Sequence, residues 1–414
     1  MKKRMYKIMA LAMTAAMVVP MAAQTTAFAA DDKEITYWNI AVESPDKDIV
    51  TAAVDKFNKE TKSGYTVNQV AIQNDTYKEK LVIAMSSGEC PDMYSSWSGG
   101  PMYEYIDSGF AQPIDDLLDQ SDVKDKLLDA AIEQGSYNGH VYAIPYLNVS
   151  LAGIFYNKDM FKQYGLEEPK TLADLENICA TLKENGITPF ALANASKWTG
   201  SMYFMSLAAR YGGLEPFQNA VAGTGKFTDD CFIKAGEKIQ EWVNNGYFPD
   251  GVNSLSEDDG QAKQLMYQET AGMLLCGSWY TGTFQTDSEE FYQKIGWFPF
   301  PAIDDSDADP TIQIGTVGDQ FISFNCEGDK LAAAFECATD HLSDEVADIT
   351  YSNNKIVPVK DAGDHIKDPV VKEIFDAAQE ASSIQLWYDQ YLPASVTEVH
   401  KNCMTELFGL DKTP

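Results

Sequence analysis

Four tryptophans of this 414-residue chain sit among turn residues instead of inside apolar runs. They are Trp97 in Ser-Ser-Trp-Ser-Gly-Gly, Trp198 in Ala-Ser-Lys-Trp-Thr-Gly, Trp279 in Cys-Gly-Ser-Trp-Tyr-Thr-Gly and Trp387 in Leu-Trp-Tyr-Asp-Gln-Tyr. An indole in a loop offers a flat apolar face to whatever occupies the space beside it. A sugar ring presents the complementary surface, an apolar C–H face rimmed by hydroxyls that Asn, Asp or Gln can bind. Asn74, Asn148 and Asp319, also at expected strand ends, supply such groups. The chemistry open to this set is the capture of a flat-faced polar ligand, with no bond made or broken.

Residue sets that make bonds are not evident. There is no GxSxG, GxGxxG, Walker loop or HExxH. His140, His341, His365 and His400 are far apart in the sequence and flanked by ordinary helix or loop residues. None of the seven cysteines has CxxC spacing, so zinc or haem has no support, and most are expected to be small buried hydrophobes. The acidic run at 304–309 starts like a calcium loop. Pro310 then stands where the turn glycine belongs and Thr316 where the bidentate glutamate belongs, so a solvated acidic turn is expected. No cofactor is expected.

The elements that must position the tryptophans alternate between strand and helix. Residues 35–40 have strand composition, 48–61 carry apolar residues at 3–4 spacing, 65–72 alternate, and a helix opens at Asn74 and Asp75. Residues 93–96 suit a buried parallel strand. Helices are expected at 124–134, 171–185, 201–211, 232–245 and 330–342. Strands are expected within 139–156 and at 271–276, 295–300 and 311–325. The tail at 368–407 reads as helical, broken at Leu392-Pro393. This rhythm predicts an α/β protein with a parallel sheet covered on both faces, and a ligand cleft outside the carboxyl ends of its strands. The length predicts two lobes. The final Thr413-Pro414 resembles a helix start, which predicts a further helix beyond it.

Acidic residues outnumber basic ones by 62 to 31, a charge that repels phosphates and anionic lipid and argues against nucleic-acid or membrane-surface roles. Residues 1–29 have the build of a secretory signal peptide. Lys2, Lys3, Arg4 and Lys7 precede an apolar stretch at 8–19, and Ala27-Phe28-Ala29 predicts cleavage after Ala29 or Ala30. No cysteine lies near that point to form an acylated anchor.

Several ordered segments resemble the family 1 extracellular solute-binding proteins that deliver oligosaccharides to bacterial ABC transporters, maltose-binding protein being a relative. They begin with Pro91-Asp92-Met93 through Trp97 and Gly109-Phe110-Ala111-Gln112-Pro113-Ile114. The most specific is Tyr137-Asn138-Gly139-His140-Val141-Tyr142-Ala143-Ile144-Pro145 followed by Phe155-Tyr156-Asn157-Lys158-Asp159. Pro169 to Leu175, Gly272 to Trp279, Phe298-Pro299-Phe300-Pro301 and Lys355-Ile356-Val357-Pro358-Val359 complete the set. The resemblance implies a two-lobe, type II periplasmic-binding-protein-like fold with a hinge of three crossings near 145–153, 311–320 and 354–358. The lobes would be 31–147 with 316–354, and 148–315 with 355–414, with the ligand cleft between them. It further implies a monomer that binds an oligosaccharide and docks on permease subunits. Trp97, Trp198 and Trp279 fall where the family places stacking aromatics, and Asn148, Ser150 and Asp319 fall in crossings. Asp389 and Trp387 lie in a tail segment that reaches the cleft, and Asn74 and Glu43 lie in loops after the first two strands. Gram-positive members usually carry a lipid-modified cysteine at the mature start, which this chain lacks, so its retention at the cell surface would differ. Two other readings stay open. One is a secreted glycoside hydrolase, which needs paired carboxylates. The other is a same-fold binder of a non-sugar solute such as a polyamine, which would need clustered acids where these look dispersed in sequence.

Overall fold

The computed structural model describes residues 33–414; the leader expected at 1–29 lies outside them. Two mixed sheets flanked by helices organise these residues. The first sheet runs, in spatial order, Thr66–Ala71, Glu34–Asn39, Met93–Ser96, Phe321–Phe324 and Ala143–Pro145. Its first three strands are parallel, with Tyr37 opposite both Gln69 and Met93. The crossover helices are Asp46–Glu60 and Asn74–Ser87. Ile49, Val50, Ala53, Val54 and Phe57 form the buried stripe of the first, which explains why that segment is helical.

The expectation of a parallel sheet holds only there. Phe321–Phe324 is antiparallel to both its neighbours. In the second sheet Ser150–Asn157 pairs antiparallel with Ala271–Gly277, Ile295–Phe298 and Gln313–Thr316. Parallel pairs there are confined to Thr188–Phe190 on Ala271–Gly277 and Ile384–Gln385 on Gln313–Thr316. A helix crossover returns the chain in the same direction, whereas a strand entering from the other sheet need not; alternation along the sequence records only the former.

The chain passes from Ala143–Pro145 in the first sheet to Ser150–Asn157 in the second, and returns from Gln313–Thr316 to Phe321–Phe324. The run expected as one strand over 311–325 is therefore two strands in different sheets. A third passage lies between helix Asp344–Ser352, which packs on Asp46–Glu60, and helix Pro369–Glu380, which packs on Ile295–Phe298. The passages are stitched together, since the Val149 N–H donates to the Ile356 carbonyl at 2.8 Å.

Two further expectations are corrected. The helix foreseen at 124–134 is two short ones, Val123–Lys126 and Asp129–Gln134. Leu127 between them is extended and bridges Val359, and the Leu128 N–H donates to the Pro358 carbonyl. The tail contains the strand Ile384–Gln385, too short to show a period of its own. Elsewhere local signals act as read. Thr171 and Asp174 form a reciprocal capping box on Leu172–Glu184, and Gly186 follows with φ +77°. Five cysteines are buried, Cys90 is half-buried and Cys403 exposed. No helix of the described residues is long and apolar enough to cross a membrane.

Candidate binding cleft

Strand ends aim the tryptophans. Trp97 follows Met93–Ser96 directly, and Trp279 and Trp387 each stand two residues beyond Ala271–Gly277 and Ile384–Gln385. Trp198 opens helix Trp198–Gly212, after Lys197 in a left-handed conformation. All four line one cavity of about 180 Å³, together with Asn74, Asp319 and Asp389. Trp279 is central to the second-lobe wall. Its ring centroid lies 6.0 Å from that of Trp198 and 5.9 Å from that of Trp387, at 60° and 66°. A Cβ at Gly277 would stand 2.0 Å from this ring, so glycine makes room for it. Trp97 faces from the first lobe, edge-on to Tyr77, with the Lys78 ammonium 4.7 Å from its ring centroid. Trp97, Trp198 and Trp279 are half-buried, whereas Trp387 is only 2% exposed and serves mainly as the wall behind Trp279.

Asn148 and Ser150 are not brought to this cavity. Asn148 is buried and ties the passages between sheets: its Oδ1 accepts from the Ile356 N–H at 2.7 Å and its Nδ2 donates to Ser278 Oγ at 3.4 Å. Ser150 is fully buried within its strand, in register with Thr316. Both lie where the chain passes between the sheets and is covered on all sides, so neither side chain has a solvent face. Glu43 is exposed and lines an adjoining opening of about 420 Å³.

The cavity also gathers residues the sequence did not single out, notably Asp46, Lys78, Glu257, Asp258 and Gln320. Glu257 and Asp258 sit in the acidic turn at 256–260, which looks like any solvated loop in a chain with 62 acids. Acids that look dispersed along the chain thus converge, with Asp46, Glu257, Asp258, Asp319 and Asp389 around one space. Burial, reinforced by Asp46, pushes the Asp319 carboxyl up to about 7 against the opposing pull of Lys355 and Lys78. Burial also raises Glu257 to about 7, with Asp258 and Asp75 adding to it. The Tyr280 hydroxyl donates to Glu257 Oε1, while Oε2 is buried with no partner. The Asp75 N–H donates to Asp258 Oδ2 at 3.0 Å, linking the two walls. Asp46 pairs at 2.6 Å with Lys355, which is 1% exposed. Gln320, buried to 3% exposure, accepts from the Tyr146 hydroxyl through Oε1 at 2.7 Å. Indole faces opposed by carboxylates and an amide make a site for a ligand with apolar faces and hydroxyl or amine donors.

The profile of the bacterial extracellular solute-binding proteins matches residues 41–339. An uncharacterized ABC transporter extracellular-binding protein of Pyrococcus horikoshii is 32% identical over 228 residues, 54% of this chain and 50% of that one. The chain spans about half the length of the curated relatives it matches. A structure from a study of xylan utilization by the thermophilic bacterium Caldanaerobius polysaccharolyticus superposes with a TM-score of 0.84 at 28% identity, covering 92% of this chain and 97% of that one. A chitin oligosaccharide binding protein gives 0.83 at 23% identity, covering 92% and 95%. With the profile spanning most of its length and the two-lobe architecture shared along nearly all of it, the chain belongs to the family of bacterial extracellular solute-binding proteins.

Proposed function

We propose that this protein captures an oligosaccharide between its lobes and delivers it to the permease subunits of an ABC importer. The observation that carries the reading is the convergence of four indoles from both lobes with carboxylates and an amide on one cavity. Related structures described as chitin oligosaccharide binding or arising from work on xylan utilization support a carbohydrate. A sugar stacked on the Trp198–Trp279 wall recruits hydrogen bonds from the Trp97 side and biases the hinge toward closure. Delivery requires that the ligand also be released, so the affinity is about 1 µM, or about −8 kcal/mol.

The lobes in this reading are 31–147 with 317–354, and 148–316 with 355–414. The second boundary is set at Val317 because Thr316 still pairs within the second sheet. The protein acts as a monomer exported by its leader, in a Gram-positive cell. The cleft binds without catalysis. A thermal-shift screen over host-glycan, milk and plant oligosaccharides, followed by chromatography of the bound sugar, tests this. Stabilisation by an oligosaccharide recovered intact is the expected result; release of monosaccharide would assign the carboxylates to hydrolysis instead.

A further inference from the structure

Two helices, one in each lobe, begin without a side-chain cap of their own. Asn74–Ser87 in the first lobe has 14 residues, and Ala394–Phe408 in the second has 15. Gln73 precedes the first and Pro393 the second, and neither side chain accepts a hydrogen bond from the helix it precedes. The first N–H groups of a helix have no partner within it, and they carry the positive end of its dipole.

Each of these starts is met by a carboxylate from the other lobe. Asp258, in the second-lobe turn at 256–260, accepts from the Asp75 N–H at 3.0 Å. Glu104, on the first-lobe helix Gly100–Asp107, accepts from the Ala394 N–H at 3.0 Å. The arrangement is reciprocal, with each lobe supplying an acid to a helix of the other. Both contacts adjoin the indole-lined cavity. Asn74 and Asp258 line it at one contact, and Asp389 and Gln390, which also line it, lead on to Ala394 at the other. Burial raises the Asp258 carboxyl above its ordinary value, while the Asp75 N–H and the Lys78 ammonium, both from the first lobe, favour its charged form. A helix start capped by the opposite lobe is satisfied in this way only while the lobes are together.

We infer that Asp258 and Glu104 are positioning residues for capture, a pair of reciprocal cross-lobe helix caps that latch the closed arrangement. This rests on the reading of capture between lobes given above. One cap is worth about a fivefold change in an equilibrium constant, so the pair shifts the balance between closed and open forms about 25-fold.

Small-angle X-ray scattering of the ligand-free protein tests the latch. Asp258→Ala and Glu104→Ala should each raise the radius of gyration above that of the wild type, and the double variant should raise it most. Asp258→Asn and Glu104→Gln keep an acceptor oxygen and should stay near the wild-type radius. A double alanine variant with the wild-type radius overturns the latch, even if its melting temperature falls. Amide variants as expanded as the alanine ones overturn it too. Glu104 is not among the residues that line the cavity, so its effect on binding has to act through closure. With xylotriose and an N-acetylglucosamine trimer as probes, Glu104→Ala should weaken whichever binds the wild type by about fivefold. Unchanged affinity for a trimer that binds would overturn the latch as well. Binding of neither trimer counts against carbohydrate capture, and the scattering comparison then decides the latch by itself.

Discussion

Trp279 and Trp387 touch each other, yet they do different work. Trp279 is half-buried at the cavity wall, whereas Trp387 is 2% exposed and buttresses it. Trp279→Ala is expected to weaken sugar binding at least tenfold, a loss on the order of 2 kcal/mol for a stacking anchor, as read by calorimetry. Trp387→Ala removes a core side chain and should cost about 3–5 kcal/mol in chemical denaturation. An affinity loss at Trp387 without a stability loss would reverse these roles. Glu257 gives a prediction in pH. Its carboxyl is raised from 4.5 to about 7 by burial, then by Asp258 and Asp75, against Lys263 and the Tyr280 hydrogen bond. The unfolded chain releases this proton at lower pH than the folded protein does. The penalty for burying the charge is therefore absent below about 4.5, grows as pH rises, and is complete above about 7. Glu257→Gln should thus stabilise the unliganded protein at pH 8, by on the order of 3 kcal/mol at most, and the gain should vanish near pH 4.5. A gain independent of pH in thermal melts would contradict that assignment. The gathering of the tryptophans on one cavity is legible from their places among turn residues, whereas the burial of Trp387 behind Trp279 is not. Nor is Glu257, because nothing in an acidic turn reveals which oxygen will end up shut off from water.

At the scale of elements, the site depends on how closely the segment after Ile384–Gln385 approaches the loop after Met93–Ser96. A Cβ at Gly100 would stand 2.3 Å from the Leu392 carbonyl oxygen, and one at Gly99 would stand 2.3 Å from that of Gln390. Only glycine lets these backbones meet, and the same segment carries Trp387 and Asp389. Gly100→Ala, at a position without a left-handed φ, should displace that segment and lower sugar affinity about tenfold or more. A titration in which Gly100→Ala binds as the wild type would show the approach to be incidental. Helix signals were the most readable part of the chain, since capping at Thr171 and apolar spacing in Asp46–Glu60 are local. Strand direction and the break at Leu127 were not, because they are set by partners more than a hundred residues away, such as Val359. The place of the Asn148 side chain is not legible for the same reason. A polar residue in a crossing can face the cleft or hold the chain together, and here its carboxamide is taken by Ile356 and Ser278.

The whole molecule joins two lobes by three passages, so a ligand that contacts both walls shifts the balance between open and closed forms by its differential affinity for them. The two walls touch directly, as between Asp75 and Asp258 and between the Ala394 N–H and Glu104 at 3.0 Å. The excess of acidic over basic residues, 62 to 31, disfavours contact with anionic headgroups. The most direct test is a fluorescence titration of the wild-type protein with a panel of oligosaccharides, because three coupled indoles line the wall where the sugar is placed. The expected result is a saturable change in tryptophan emission for at least one sugar, with a Kd of about 1 µM. A panel that produces no saturable change, with non-sugar solutes binding in its place, would contradict carbohydrate capture.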